Sequence, residues 1–113
     1  MSDAALEAIE RILAAGGDAD DVLRAVVAEL EHEPGVVWAG ILFQEGGELV
    51  LGPEQGTPDP RRRRSVPVAY QGAVVGELAI DGDVDAAFLE RVAVMVSAHV
   101  LLGWDTGGEA WAP

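Results

Sequence analysis

The sequence predicts an α+β domain in which helices from both chain ends cover one face of an antiparallel sheet. Three observations predict it. Apolar residues recur at helical spacing in the first 31 residues and again from 86 onward. Between them lie two pairs of strand-like runs, each pair joined by a short turn with glycine, Glu45-Gly46-Gly47 and Gln71-Gly72. The first of these runs is apolar on both alternating faces, as a central strand is when something packs on each side of it.

The elements follow in order. Ser2 can cap a first helix, whose buried stripe is Leu6, Ile9, Ile12 and Leu13 and whose end is Gly16-Gly17. Asp18 opens a second helix, with Asp21 placed as in an acidic variant of a capping box. Val22, Val26 and Leu30 form its row, widened by Leu23 and Val27, and Pro34-Gly35 stop it. Strand one runs from Val36 to about Gln44. It sets Val36, Trp38 and Leu42 on one face and Val37, Ile41 and Phe43 on the other. Strand two is expected over 48–51. A loop from Gly52 to Arg64 follows, with three prolines and no apolar pattern.

Strand three spans about 65–70. Pro67 would remove a ladder hydrogen bond, which places this strand at a sheet edge. Strand four covers 73–81, with Val74, Leu78 and Ile80 on one face. Val75, Glu77, Ala79 and Asp81 share the other face, which is expected to be partly wet. The last helix covers about 86–102, with Gly103 as its C′ residue. Phe88, Leu89, Val92, Met95, Val96 and Val100 form a broad stripe, and Val94 and Leu101 lie opposite it. The second apolar side calls for a further partner, either the N-terminal helices or a second subunit. The division expected is one domain over 1–103 and an irregular tail over 104–113.

Composition excludes several function classes. The chain has 113 residues, 20 acidic and 7 basic, for a net charge of −13. Nucleic acid is not an expected partner, because phosphate binding needs a basic face. All basic residues are arginine and cysteine is absent, which removes disulfides, thiolate nucleophiles and cysteine-ligated metals. The acidic N-terminus has no apolar signal region, and no run of about 18 apolar residues exists, so neither secretion nor a membrane span is expected. A cytoplasmic location is the default expectation.

Some of the residues resemble a known family. Trp38-Ala39-Gly40, then Leu49-Val50-Leu51-Gly52-Pro53-Glu54-Gln55-Gly56, then Gly76-Glu77-Leu78-Ala79-Ile80-Asp81 and Phe88 are similar to the pattern of small GAF domains. The pattern is closest to the stand-alone GAF proteins that reduce free methionine-(R)-sulfoxide. The resemblance covers roughly residues 4–102 and implies a sheet order 2-1-4-3. It also implies a ligand pocket on the sheet face away from the helices. The departures matter as much. The family's catalytic cysteines lie in a long excursion, which here is only TPDPRRRRS and holds no cysteine. Sulfoxide reduction needs a thiolate, so that chemistry is not expected. Ala79 stands where the family has its first Asp, and Leu42 where it has a second aromatic.

Each candidate residue carries a bland alternative. Trp38, with Leu42, is a core aromatic or the floor of a pocket. Arg61, Arg62, Arg63 and Arg64 are a solvated loop or a rim for an anionic ligand or an acidic partner surface. Glu77 and Asp81 line a wet cleft or a wet strand face. Asp81, Asp83 and Asp85 alternate but lack the spacing of a Ca²⁺ loop, and no metal or other cofactor is expected. His99 is a hydrogen-bonded histidine of the core or of an interface; with His32 it makes no metal pair. Val94, Met95, Ala98, His99, Leu101 and Leu102 are the expected homodimer surface. The expectation is a non-catalytic small-molecule-binding or sensory module acting as a homodimer. The alternatives are a dimerisation or protein-interaction scaffold without a pocket, and a degenerate sulfoxide reductase relative with other chemistry.

Overall fold

The computed structural model describes the backbone of residues 3–111 and the side chains of residues 4–102. Helices α1 (Asp3–Ala15) and α2 (Ala19–Glu31) come first. Strands β1 (Val36–Glu45) and β2 (Glu48–Gly56) form a hairpin. A short 3-10 turn, Pro60–Arg62, leads to the second hairpin, β3 (Arg63–Tyr70) and β4 (Ala73–Gly82), and α3 (Ala86–Trp111) follows. The sheet is antiparallel throughout, in the order β2-β1-β4-β3. This is the expected order, with β1 central and β3 carrying Pro67 at an edge.

One apolar cluster holds the fold together. It joins Ile9 of α1, Leu23, Val26, Val27 and Leu30 of α2, and Phe88, Leu89, Val92, Val96 and Val100 of α3 to one face of the sheet. That face supplies Val36, Ala39, Ile41, Val68, Leu78 and Ile80. Burying such side chains is the dominant favourable term in folding. All three helices therefore lie on the same face.

Several details differ from the sequence reading. Val36 belongs to the core face and Trp38 to the opposite one, because the β1–β4 register shifts between them. A similar shift between Val68 and Ala69 leaves Val74 exposed and packs Val75 against the core. β2 continues through Gly52-Pro53 to Gly56; as an edge strand it can spare the proline's missing N–H. Asp18 precedes α2 in extended conformation but makes no side-chain cap, and Asp21 pairs with Arg24 at 3.3 Å instead. The helix expected to end at Gly103 runs on to Trp111. The continuation carries Gly103, Gly107 and Gly108, each costing about 1 kcal/mol relative to alanine, but no proline interrupts it. The Ser2 cap lies outside the described residues.

Candidate functional site on the open sheet face

The sheet face away from the helices is organised in cross-strand rows. The register places Gly56, Trp38, Asp81 and Arg63 in one row across all four strands. The next row is Glu54, Gly40, Ala79 and Ser65, and the one after it Leu51, Leu42, Glu77 and Pro67. Alternation along each strand brings these residues to one side of the sheet.

The second row explains how Trp38 lies. Gly40 and Ala79 leave space at its centre, and the Trp38 ring folds down over it. A Cβ added at Gly40 would come within 2.5 Å of that ring. The indole Nε1 donates to Glu54 Oε1 at 2.8 Å, which fixes the ring's direction. Trp38 is 2% exposed.

Arg63 covers the ring from above, its guanidinium carbon 4.3 Å from the ring centroid. The same guanidinium forks onto Asp81. Nε donates to Oδ1 at 2.6 Å, and the NH2 nitrogen to Oδ2 at 2.8 Å. The Asp59 backbone N–H donates to Oδ2 at 2.7 Å. Asp81 is fully buried, against the expectation of a wet strand face. It stays ionised there because it is paired and hydrogen-bonded. The Arg63 hydrogen bonds hold its carboxyl below the ordinary carboxylate range; burial pushes the other way, and the Asp59 N–H adds to the lowering. The Arg63 guanidinium is shifted up, chiefly by its hydrogen bonds to Asp81.

The arrangement recognises a cation: an aromatic face, a buried carboxylate and a backbone donor that holds the carboxylate in place. The cation in the structure is the chain's own. Trp38 is therefore neither a helix-side core residue nor the floor of an open cleft. It is the floor of a position filled by Arg63.

The remaining candidates lie elsewhere. Leu42 and Glu77 are cross-strand partners two rows away, both half-buried. The four arginines line one shallow depression with Gly82 and Asp83, but they make different contacts. Arg61 is 94% exposed and lies 3.8 Å from Asp59, and Arg62 is exposed. Arg64 bonds the Val84 carbonyl at 3.2 Å and lies 3.7 Å from Asp83. On α3, Val94 and Leu102 are exposed, whereas Met95, Ala98, His99 and Leu101 are half-buried. His99 was expected to be hydrogen-bonded, but its Nδ1 is buried with no partner among the described residues. Among those residues no group of three or more His, Cys, Asp or Glu is placed to hold a metal ion. Among the described residues no helix is long and apolar enough to cross a membrane.

Sequence reasoning missed Glu54 and the Asp59 amide. A strand ending at Leu51 leaves Glu54 in a loop, whereas β2 running to Gly56 sets it opposite Gly40. Reading β2 through Pro53 would have found it.

No protein-family model and no curated protein matches the chain. Solved structures do. The GAF domain of the Acinetobacter phosphoenolpyruvate-protein phosphotransferase matches with a TM-score of 0.71 and 17% identity, over 96% of this chain and 99% of that one. The free methionine-R-sulfoxide reductase of Neisseria meningitidis, in complex with its substrate, matches at 0.70 and 19% identity, over 94% and 95%. A GAF sensor protein structure from Burkholderia vietnamiensis gives 0.58 and 21%, over 89% and 91%. With the element order and sheet topology described above, these likenesses establish that the chain has the GAF fold.

Proposed function

We propose that this chain is a non-catalytic regulatory module of the GAF fold, acting as a homodimer, with its sheet-face site held shut by its own Arg63. The observation that carries the reading is the seating of that guanidinium between Trp38 and the buried Asp81. A receptor with an open site would present these groups to solvent; here they are already satisfied. The sequence holds no cysteine, so the thiolate chemistry of sulfoxide reduction has no nucleophile in it. Dimerisation is supported by Val94, Ala98 and Leu102, spaced four apart on α3, of which Val94 is 74% and Leu102 53% exposed. The test has two parts. Light scattering at micromolar concentration should give a dimer. A thermal-shift screen of the wild-type chain with nucleotides, amino acids and organic acids should be silent at millimolar ligand. A monomer contradicts the dimer; a strong hit contradicts the closed site.

A second reading, a small-molecule receptor, is favoured by one observation. The Arg63 side chain is 38% exposed, so one rotamer change on an edge strand would uncover the site.

A further inference from the structure

Arg63 is held as a ligand is held. Its flat face meets the Trp38 indole, and its fork meets both oxygens of a carboxylate with no exposure of its own. A planar guanidinium satisfies both surfaces at once, whereas an ammonium is a point charge that satisfies neither geometry. The groups that hold it do not come from β3. Trp38 is on β1, Glu54, which orients the ring, is on β2, and Asp81 is on β4. Asp59, which donates its amide to Asp81, precedes the 3-10 turn. Without the Arg63 side chain these groups remain, and of the three hydrogen bonds to the Asp81 carboxylate only that from the Asp59 amide is left. A carboxylate left with one donor beside an aromatic face favours a planar cation in the vacated position.

We propose that Trp38, Glu54, Asp81 and the Asp59 amide form a guanidinium-binding site, occupied in cis by Arg63, that accepts a small guanidinium compound when Arg63 leaves. Arg63 is then a built-in competitor. Its tether gives it a high effective concentration at the site, so a free guanidinium compound gains little in the wild-type chain. The Arg63 side chain is 38% exposed, so its position on the edge strand is in contact with solvent. This inference rests on the closed-site part of that reading and does not depend on dimerisation.

The test uses Arg63→Ala in the full chain, with methylguanidine as the probe. At roughly 20 mM methylguanidine the variant's Tm should rise by about 2–5 °C, as for a ligand a few-fold above its Kd. The wild-type chain should not respond, because Arg63 holds the site. The double variant Arg63→Ala/Asp81→Asn should not respond, because the carboxylate is gone. Methylammonium at the same ionic strength should leave Arg63→Ala unchanged. If Arg63→Ala does not fold, the same additions are read as recovered helical circular dichroism. An equal response from all three proteins, or an equal response to methylammonium, overturns the proposal. So does the absence of any response in Arg63→Ala.

Discussion

Arg63 and Asp81 are cross-strand partners on β3 and β4, and the Arg63 fork closes on both carboxylate oxygens at 2.6 and 2.8 Å. One member of this pair is fully buried and the other is 38% exposed. Coulomb attraction alone is weak for a half-exposed arginine. The larger effect is on Asp81, which has no access to water and depends on its partners for solvation. The two single substitutions should therefore differ. Arg63→Ala strips Asp81 of its fork but lets water reach it, and should cost about 1–3 kcal/mol in urea unfolding. Asp81→Asn removes the buried charge and leaves an amide facing a guanidinium that can turn to solvent. It should cost about 1–2 kcal/mol, the scale of charged hydrogen bonds less the desolvation avoided.

The same pair predicts an acid limb in stability. Asp81 has a folded pKa below its unfolded value, so the unfolded chain takes up its proton first as pH falls. The stabilisation is fully present above the ordinary carboxylate pKa of about 4 and is lost as pH falls below it, through the lowered folded value. The Tm difference between wild type and Asp81→Asn should be flat from about pH 8 to 5 and shrink below about pH 4. Taking the difference removes the titration of carboxylates common to both proteins. A difference that grew with acid would contradict the assigned direction.

Gly40 should resist substitution for a reason specific to Trp38. A methyl group there would lie 2.5 Å from the indole, and the ring cannot simply turn away. It is held by Glu54 on one side and covered by Arg63 on its face. Gly40→Ala should cost about 1–3 kcal/mol, the range for forced overpacking. Trp38→Phe/Gly40→Ala should recover part of that loss, because the shorter ring vacates the contact. Additive losses would show that the clash is not with Trp38.

The homodimer reading turns on the exposed row of α3. Val94→Glu and Leu102→Glu would place charges in an apolar contact between copies, where unpaired charge is costly. Together they should convert a dimer to a monomer by light scattering while leaving the far-UV circular dichroism unchanged. Both side chains are exposed in the single chain, so neither change should unfold it.

Much of this was legible from periodicity. The helical rows of α1 and α2, the two Gly turns and the doubly apolar β1 carry the fold, because burial of alternate or third-and-fourth residues leaves a direct mark in sequence. Trp38, Arg63 and Asp81 each stand out in the sequence, but nothing in their spacing shows that they meet. Alternating acids on β4 read as a wet face, and only the row across four strands shows that Asp81 is neutralised. The four arginines read as one basic cluster, yet neighbouring residues on a strand point to opposite faces, so Arg63 and Arg64 part company. Register shifts beside Val36 and Val68 were likewise invisible, since a bulge has no apolar signature of its own. Gly103 shows the opposite failure: a residue that often ends helices does not end this one.

The most direct test of the closed site is a double-mutant cycle between Arg63→Ala and Asp81→Asn, measured by urea unfolding near neutral pH. The two residues should be coupled by about 1.5–3 kcal/mol, so that the double variant loses much less stability than the sum of the singles. Additivity within about 0.3–0.5 kcal/mol, the value for independent sites, would mean that Arg63 does not hold Asp81 and that the site is not closed by it.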